Sequence, residues 1–208
     1  MLNLNLDFKK PYLNSIFSTN SAIWYERNLK EKIIKQQSKI NVIFEVDSTD
    51  KSIEFLKKQN LNWLINQEEI NAAYKYNHYW CSVKFNDQII ACIKIGFNKI
   101  FISDYNKIIK FPKNMAFIYD TFVLPKYRGK GVGNFIIYQA IKHIKNKGYL
   151  KIGCHIPPWN KNSIKIYKKN GFKEINYIRN LKIFGVSIQI SRSPKKILIN
   201  NGGNIFYE

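Results

Sequence analysis

Residues Asp120 to Gly133 read Asp-Thr-Phe-Val-Leu-Pro-Lys-Tyr-Arg-Gly-Lys-Gly-Val-Gly: one carboxylate, three cations and three alternating glycines at the end of an apolar run. The run stops at Pro125, and from Asn134 the pattern turns helical, with Ile137, Ile141 and Ile144 on one stripe and Ala140 beside them. A strand that feeds a glycine loop opening a helix is a phosphate cradle. Its glycines let backbone N–H groups converge on an anion, and the helix start adds its positive dipole end. The loop lacks the trailing Lys-Ser/Thr of a nucleotide-triphosphate loop and the G-x-G-x-x-G spacing of a dinucleotide site. Asp120 is the natural proton acceptor beside this cradle, and His155 is a second one. An ordinary aspartate facing an ordinary ammonium is mismatched by about 6.5 pH units, or roughly 9 kcal/mol. Asp120 therefore needs burial or a bridging water to act as a base, and the alternatives are local pairing or binding a positive charge.

A second patterned stretch follows at Asn160-Lys-Asn-Ser163-Ile164-Lys-Ile-Tyr167-Lys-Lys-Asn-Gly171-Phe172. Asn160 has the type of a helix N-cap, and Gly171 that of the left-handed residue ending the helix. Arg128-x-x-Gly131-x-Gly133 after Val-x-Pro resembles the acyl-CoA pyrophosphate loop of the GNAT N-acetyltransferase family. The stretch from Asn160 to Phe172 resembles that family's second motif, N-x-x-[AS]-[IA]-x-x-Y followed by G-F. The resemblance spans roughly residues 41 to 190, with both motifs in order and a helix and a strand between them.

The resemblance implies an enzyme that moves acetyl from acetyl-CoA to a primary amine of a small molecule or amino sugar by direct attack, without a metal. It places the pyrophosphate on Arg128, Gly129, Lys130, Gly131, Val132, Gly133 and Asn134. Pantetheine then lies along Phe122, Val123 and Leu124, with Asn160 and Tyr167 completing the cofactor site. Tyr167 corresponds to the family's general acid; a phenol near 10 can donate to a leaving thiolate near 8.5. A backbone N–H around Phe122 or Val123 corresponds to the oxyanion donor. The family often carries a glutamate nearer the start of this strand, where this chain has Ala116, Phe117 and Ile118. The implied fold is α/β: one mixed, mostly antiparallel sheet flanked by helices, splayed between the strand before the loop and the next strand. Two other readings stay open: a CoA-binding domain without turnover, and a basic nucleic-acid-binding module.

The elements that must position these residues follow from pattern. The expected order is a strand over 41–46, helices over 48–59 and 61–76, and a hairpin over 78–97 turning at Asn86-Asp87. A strand over 115–124, a helix over 134–147, a strand over 150–156 and a hairpin over 175–191 complete it. Ile100–Ser103 reads as extending the first hairpin. Residues 1–40 read as an extension, a strand plus a helix around Trp24–Gln36, packed on a domain over 41–193, with a tail over 194–208. The aromatics Trp24, Tyr25, Trp63, Tyr74, Tyr76, Tyr79 and Trp80 read as core or as a small-molecule pocket. His78 and His143 are expected on a strand and on an exposed helix face.

At 208 residues with 45% hydrophobic and 15% aromatic content, the chain can bury one good core. No apolar run approaches the roughly 20 residues of a membrane span, and the start lacks a signal-peptide core. Cys81, Cys92 and Cys154 lack metal spacing and read as buried thiols of a reducing compartment, hence a cytoplasmic protein. Thirty-four Lys and Arg against 14 Asp and Glu give a formal charge of +20. Only four of the cations are arginine, and the lysines are spread along the chain. Arginine is the residue expected for bidentate phosphate and base reading, so the charge helps draw in an anionic cofactor but does not point to nucleic acid. The expected partners are acetyl-CoA and an amine-bearing acceptor, with a homodimer left open.

Overall fold

The computed structural model describes residues 17–47, 49–103, 107–183, 186–191, 197–199 and 205–207. Its centre is an eight-stranded sheet in the order β10-β9-β1-β8-β7-β4-β3-β2. The strands are β1 (Phe17–Asn28), β2 (Ile43–Asp47), β3 (Tyr79–Phe85), β4 (Gln88–Phe97), β7 (Met115–Val123), β8 (Lys151–Ile156), β9 (Lys173–Ile183) and β10 (Val186–Ser191). All neighbours are antiparallel except β7 and β8. Two short hairpins stand apart, β5 (Lys99–Ile102) with β6 (Lys107–Lys110), and β11 (Ile197–Ile199) with β12 (Ile205–Tyr207). Residues 100–102 therefore form their own hairpin with β6 rather than extending the one before.

Helices cover both faces. On one lie α3 (Val132–Asn146) and α4 (Lys161–Lys169), whose Ile136, Ile137, Ala140, Ile141, Ile144 and Tyr167 pack on Ile93, Ile95, Ile118, Ile152 and Cys154. The period of α3 puts its isoleucines on one stripe, and each fully buried one contributes about 1.5–3 kcal/mol. On the other face, α1 (Thr49–Lys58) and α2 (Gln67–Tyr76) pack on Trp80 and Cys92, and the β5–β6 hairpin covers Trp24, Phe117 and Ile178.

Two expected helices and two histidines also differ from the sequence expectation. The helix expected around Trp24–Gln36 is absent: residues through Asn28 belong to β1, and no regular element follows before β2. The reason is tertiary. Ala22 and Trp24 pack under the β5–β6 hairpin, while Ile23 and Tyr25 pack toward α3 and α4, so both faces of the strand are covered and no polar alternation marks it. The helix expected over 61–76 is split into a short 3₁₀ turn (Asn62–Leu64) and α2, because Asn66 caps α2 by accepting from the N–H groups of Glu68 and Glu69. His78 precedes β3 rather than lying on it, and His143 is half-buried, its ring edge-on to Tyr79 at 5.1 Å. The hairpin at Asn86-Asp87 turns through two positive φ angles, 48° and 60°, as a tight two-residue turn requires.

Candidate active site

β7 and β8 pair only from Met115–Lys151 to Ile118–Cys154. Beyond that level β8 continues with β1, pairing His155 with Trp24 and Ile156 with Ile23, while β7 continues with β4 to Val123. The two parallel strands thus part, and among the described residues no strand pairs with the edge of β7 from Tyr119 onward on the β8 side. Pro157 and Pro158 follow directly and cannot extend a ladder. The N–H of Leu124 donates to Ile90 of the β4 side, and strand edges alternate. The N–H and C=O groups of Thr121 and Val123 therefore face the gap. Of the two amides named from sequence as oxyanion donors, Val123 has the right edge and Phe122 faces β4.

A β-bulge sets the side chains around this gap. Lys94 pairs with Asp120 and Ile95 with Ile118, so Tyr119 is an extra residue on β7. The bulge leaves Asp120 on the α2 face and the next residue, Thr121, on the α4 face. Thr121 Oγ1 lies 2.9 Å from the Tyr167 hydroxyl, in hydrogen-bond contact. Tyr167 is held there by a helix with defined ends. Asn160 Oδ1 accepts from the N–H of Ser163 at the start. At the finish the N–H of Phe172 donates to Tyr167 O and that of Gly171 to Lys168 O, with Gly171 at φ 81°. Burial pushes the Tyr167 phenol well above its ordinary value, with Cys154 adding to the rise and the Thr121 bond opposing it. The hydroxyl stays a donor throughout the neutral range.

On the opposite face Asp120 belongs to a buried polar cluster. Lys94 Nζ donates to Asp120 Oδ2, Glu69 Oε2 and the carbonyl of Leu64, each at 2.8 Å, and lies 4.6 Å from the Trp80 ring centroid. All three ammonium protons are used. Burial alone pulls the Lys94 ammonium down, but the charges and hydrogen bonds of Asp120 and Glu69 together outweigh it and hold it above an ordinary lysine. Trp80 Nε1 donates to the Tyr119 hydroxyl at 2.8 Å beside it. Asp120 is one-third exposed, whereas the Glu69 and Lys94 side chains are almost wholly buried. The sequence reading missed Lys94 and Glu69. Their signals were a single lysine inside the apolar strand Ile-Ile-Ala-Cys-Ile-Lys-Ile, and a glutamate three and four residues before Ala72 and Ala73 on one helix stripe.

The glycine loop closes the far end of the gap. Gly129 and Gly131 have φ of 74° and 82°, and Gly131 is the N-cap of α3. Among the described residues, the backbone N–H groups of Gly129 to Asn134 have no acceptor. A Cβ at Gly129 would meet nothing within 4 Å, so one side of the loop is open. Val132 offers only its N–H, since its side chain is buried in the core. Arg128 folds back: Nε donates to Val123 O at 3.1 Å and the guanidinium lies 5.8 Å from the Phe122 ring. Asn134 Oδ1 accepts from Asn170 Nδ2 at 3.3 Å. Gly133 faces Ile166 and Val123, where a Cβ would come within 3.2 Å of the isoleucine. The ring of His155 stacks on both Trp24 and Phe117, which also touch each other, on the face opposite Tyr167. Arg27, on β1, was not anticipated: it is buried and donates to the carbonyls of Asn170 and Lys32, at the carbonyl end of α4.

The chain that carries this glycine loop, splayed parallel pair and buried phenol is similar to known proteins in sequence and in fold. The family model described as the GNAT acetyltransferase family matches residues 40–172. An uncharacterized N-acetyltransferase of Methanocaldococcus jannaschii is 30% identical over 102 residues, covering 48% of this chain and 45% of that protein. The thialysine N-epsilon-acetyltransferase of Mus musculus is 32% identical over 60 residues, covering 29% of this chain and 35% of that protein. The chain thus spans less than half the length of these two relatives. The fold resembles a GCN5-related glucosamine N-acetyltransferase region within a fungal multi-domain beta-N-acetylglucosaminidase, with a TM-score of 0.56 at 15% identity over 81% of this chain and 21% of that one. The match spans both motifs and the strands that part between them, and on it the chain belongs to the GNAT acetyltransferase family.

Proposed function

We propose that this chain transfers acetyl from acetyl-CoA to a primary amine of a small molecule or amino sugar by direct attack. The observation that carries the reading is the gap between β7 and β8, with the Tyr167 hydroxyl on one side of β7 and the Asp120 carboxylate on the other. In this reading the free N–H groups of Gly129 to Asn134, with Arg128 and Lys130, take the pyrophosphate. Pantetheine lies along Phe122, Val123 and Leu124, its amides pairing with the gap-facing backbone edge of Thr121 and Val123 as an added strand would. Asn160 spends Oδ1 on its own helix and keeps its amide N–H₂ for the cofactor. The acceptor approaches from the α2 face.

The residues then divide the reaction. Asp120 holds the amine, and its Lys94 partner makes an anchoring role the simpler one for this carboxylate. As the new C–N bond forms, the carbonyl oxygen gains charge and the Val123 N–H donates to it. As the C–S bond breaks, Tyr167 gives its phenolic proton to the departing sulfur and regains one from solvent. The proton lost by the amine passes through Asp120 or a water to solvent. Three buried free cysteines suit a reducing compartment, and we place the protein in the cytoplasm. A second reading, CoA binding without turnover, is favoured by one observation: Asp120 Oδ2 is already engaged by Lys94.

Thermal shift with acetyl-CoA and longer acyl-CoAs, followed by thiol release across an amine panel including thialysine and glucosamine, tests the proposal. Saturation at 100 Kd gives about 2.7 kcal/mol, or roughly 5–10 °C for a chain of this size. Stabilisation by acetyl-CoA with amine-dependent thiol release supports it. Stabilisation without thiol release on any amine supports the second reading instead.

A further inference from the structure

The segment between β1 and β2 crosses the glycine loop. The N–H of Lys39 donates to the carbonyl of Lys130 at 2.8 Å, and the Ser38 hydroxyl donates to the same oxygen at 3.2 Å. The hydroxyl oxygen in turn accepts from the N–H of Ile40 at 3.2 Å. One serine thus ties the strap to itself and to the loop. Packing is tight at this crossing, since a Cβ on Gly131 would lie 2.9 Å from the carbonyl of Gln37. Residues 37–39 lie just outside the span matched by the family model, residues 40–172.

A peptide unit is planar and trans, so its C=O and N–H point in opposite directions; no peptide bond among the described residues is cis. The carbonyl of Lys130 and the N–H of Gly131 share one such unit. Holding that carbonyl against the strap turns the Gly131 N–H away from it. That N–H has no acceptor among the described residues, and it belongs to the N-cap of α3. An untethered Lys130–Gly131 unit next to a positive-φ glycine is free to flip, which would point the carbonyl oxygen at an incoming phosphate. We infer that Ser38 is a positioning residue for the pyrophosphate loop: with the Lys39 N–H it fixes the Lys130 carbonyl and so aims the Gly131 N–H into the cradle. The inference rests on the reading of that loop as the CoA pyrophosphate site.

The test is calorimetric binding of CoA to the full chain and to Ser38→Ala, Ser38→Thr and Lys39→Pro. Losing a tie of ordinary hydrogen-bond strength should raise the Kd of Ser38→Ala about 3- to 10-fold. Ser38→Thr keeps the hydroxyl and should stay within about 2-fold of the parent. Lys39→Pro removes the second donor and should weaken binding at least as much as Ser38→Ala. Dephospho-CoA keeps the pyrophosphate but lacks the 3′-phosphate, so the Ser38→Ala penalty should be the same for it as for CoA. A lower melting temperature with unchanged Kd in Ser38→Ala and Lys39→Pro would reduce the strap to a structural tie and overturn the inference. A penalty that vanishes with dephospho-CoA overturns it too, by placing the effect at the 3′-phosphate. Absence of CoA binding in the parent chain defeats the loop reading itself, and the inference with it.

Discussion

Tyr167 and His78 are both buried groups that the fold keeps uncharged, and each makes a separate prediction. The Tyr167 phenol sits on Thr121 at the mouth of the gap, with burial holding it protonated. Tyr167→Phe keeps the packing on Phe172, whose ring lies 4.9 Å away, and removes only the hydroxyl. Turnover should fall about 100-fold while the Kd for CoA stays within about 3-fold; equal turnover in steady-state assays would exclude the general-acid role. His78 lies between Tyr76 and Tyr119, and its Nε2 contacts the Lys99 carbonyl at 3.0 Å. Burial lowers its pKa from 6.5 to about 4. The unfolded chain takes up this proton below pH 6.5 and the folded chain only near 4, so stability falls as the pH drops through that window. The loss approaches about 3 kcal/mol at its lower end. Urea midpoints measured from pH 7 to 4.5 should decline less in His78→Gln than in the parent, although that variant starts lower.

The elements that hold the site are tied by polar contacts as much as by packing. Lys94 joins β4 to α2, to the turn before it and to β7. Lys94→Met takes the ammonium partner away from the buried Glu69 carboxylate, and breaking a buried ion pair from one side costs about 3–5 kcal/mol. Lys94→Met with Glu69→Leu removes both buried charges and leaves only the partly exposed Asp120. The double variant should be the more stable of the two by chemical denaturation. At the other face, Gly171 is required twice, by its φ of 81° and by Arg27, whose guanidinium occupies the place a Cβ would take. Gly171→Ala should cost at least about 2 kcal/mol and lower the melting temperature by roughly 4–8 °C. These elements were unequally legible. The loop and α4 could be read because glycines and caps state a local backbone need, met at Gly129, Gly131, Asn160 and Gly171. The Lys94 cluster could not, because its carboxylates come from α2 and β7 and meet only in the assembled sheet. Lys94 and Glu69 announced themselves solely as charges on apolar faces. For β1 the misreading had the same origin, since strand partners from the far end of the chain, not local propensity, decide the conformation of Trp24 to Asn28.

At the scale of the molecule, the sheet order places the first described strand between two late ones. β8 and β9 are consecutive strands in the chain, separated only by α4, yet they do not pair; β1 lies between them with hydrogen-bonded neighbours on both edges. Trp24 and Tyr25 are completely buried there, each on a different face. In the sheet, β9 and β10 are therefore joined to β8 through this one strand, and the half made of β10, β9, β1 and β8 is joined to the other half through the short parallel ladder of β7 and β8. A strand of this kind cannot fray independently, because opening it separates β9 and β10 from β8 and exposes both cores at once. Amide exchange in Ile23 to Arg27 should thus require the same global opening as β4, with matching protection and matching sensitivity to denaturant. Exchange in β1 through a lower-energy local opening would show instead that the β9–β10 side is a separable unit. The same argument extends to function: a chain shortened to begin after Asn28 should lose acetyl-CoA binding together with its fold, although both signature motifs remain intact.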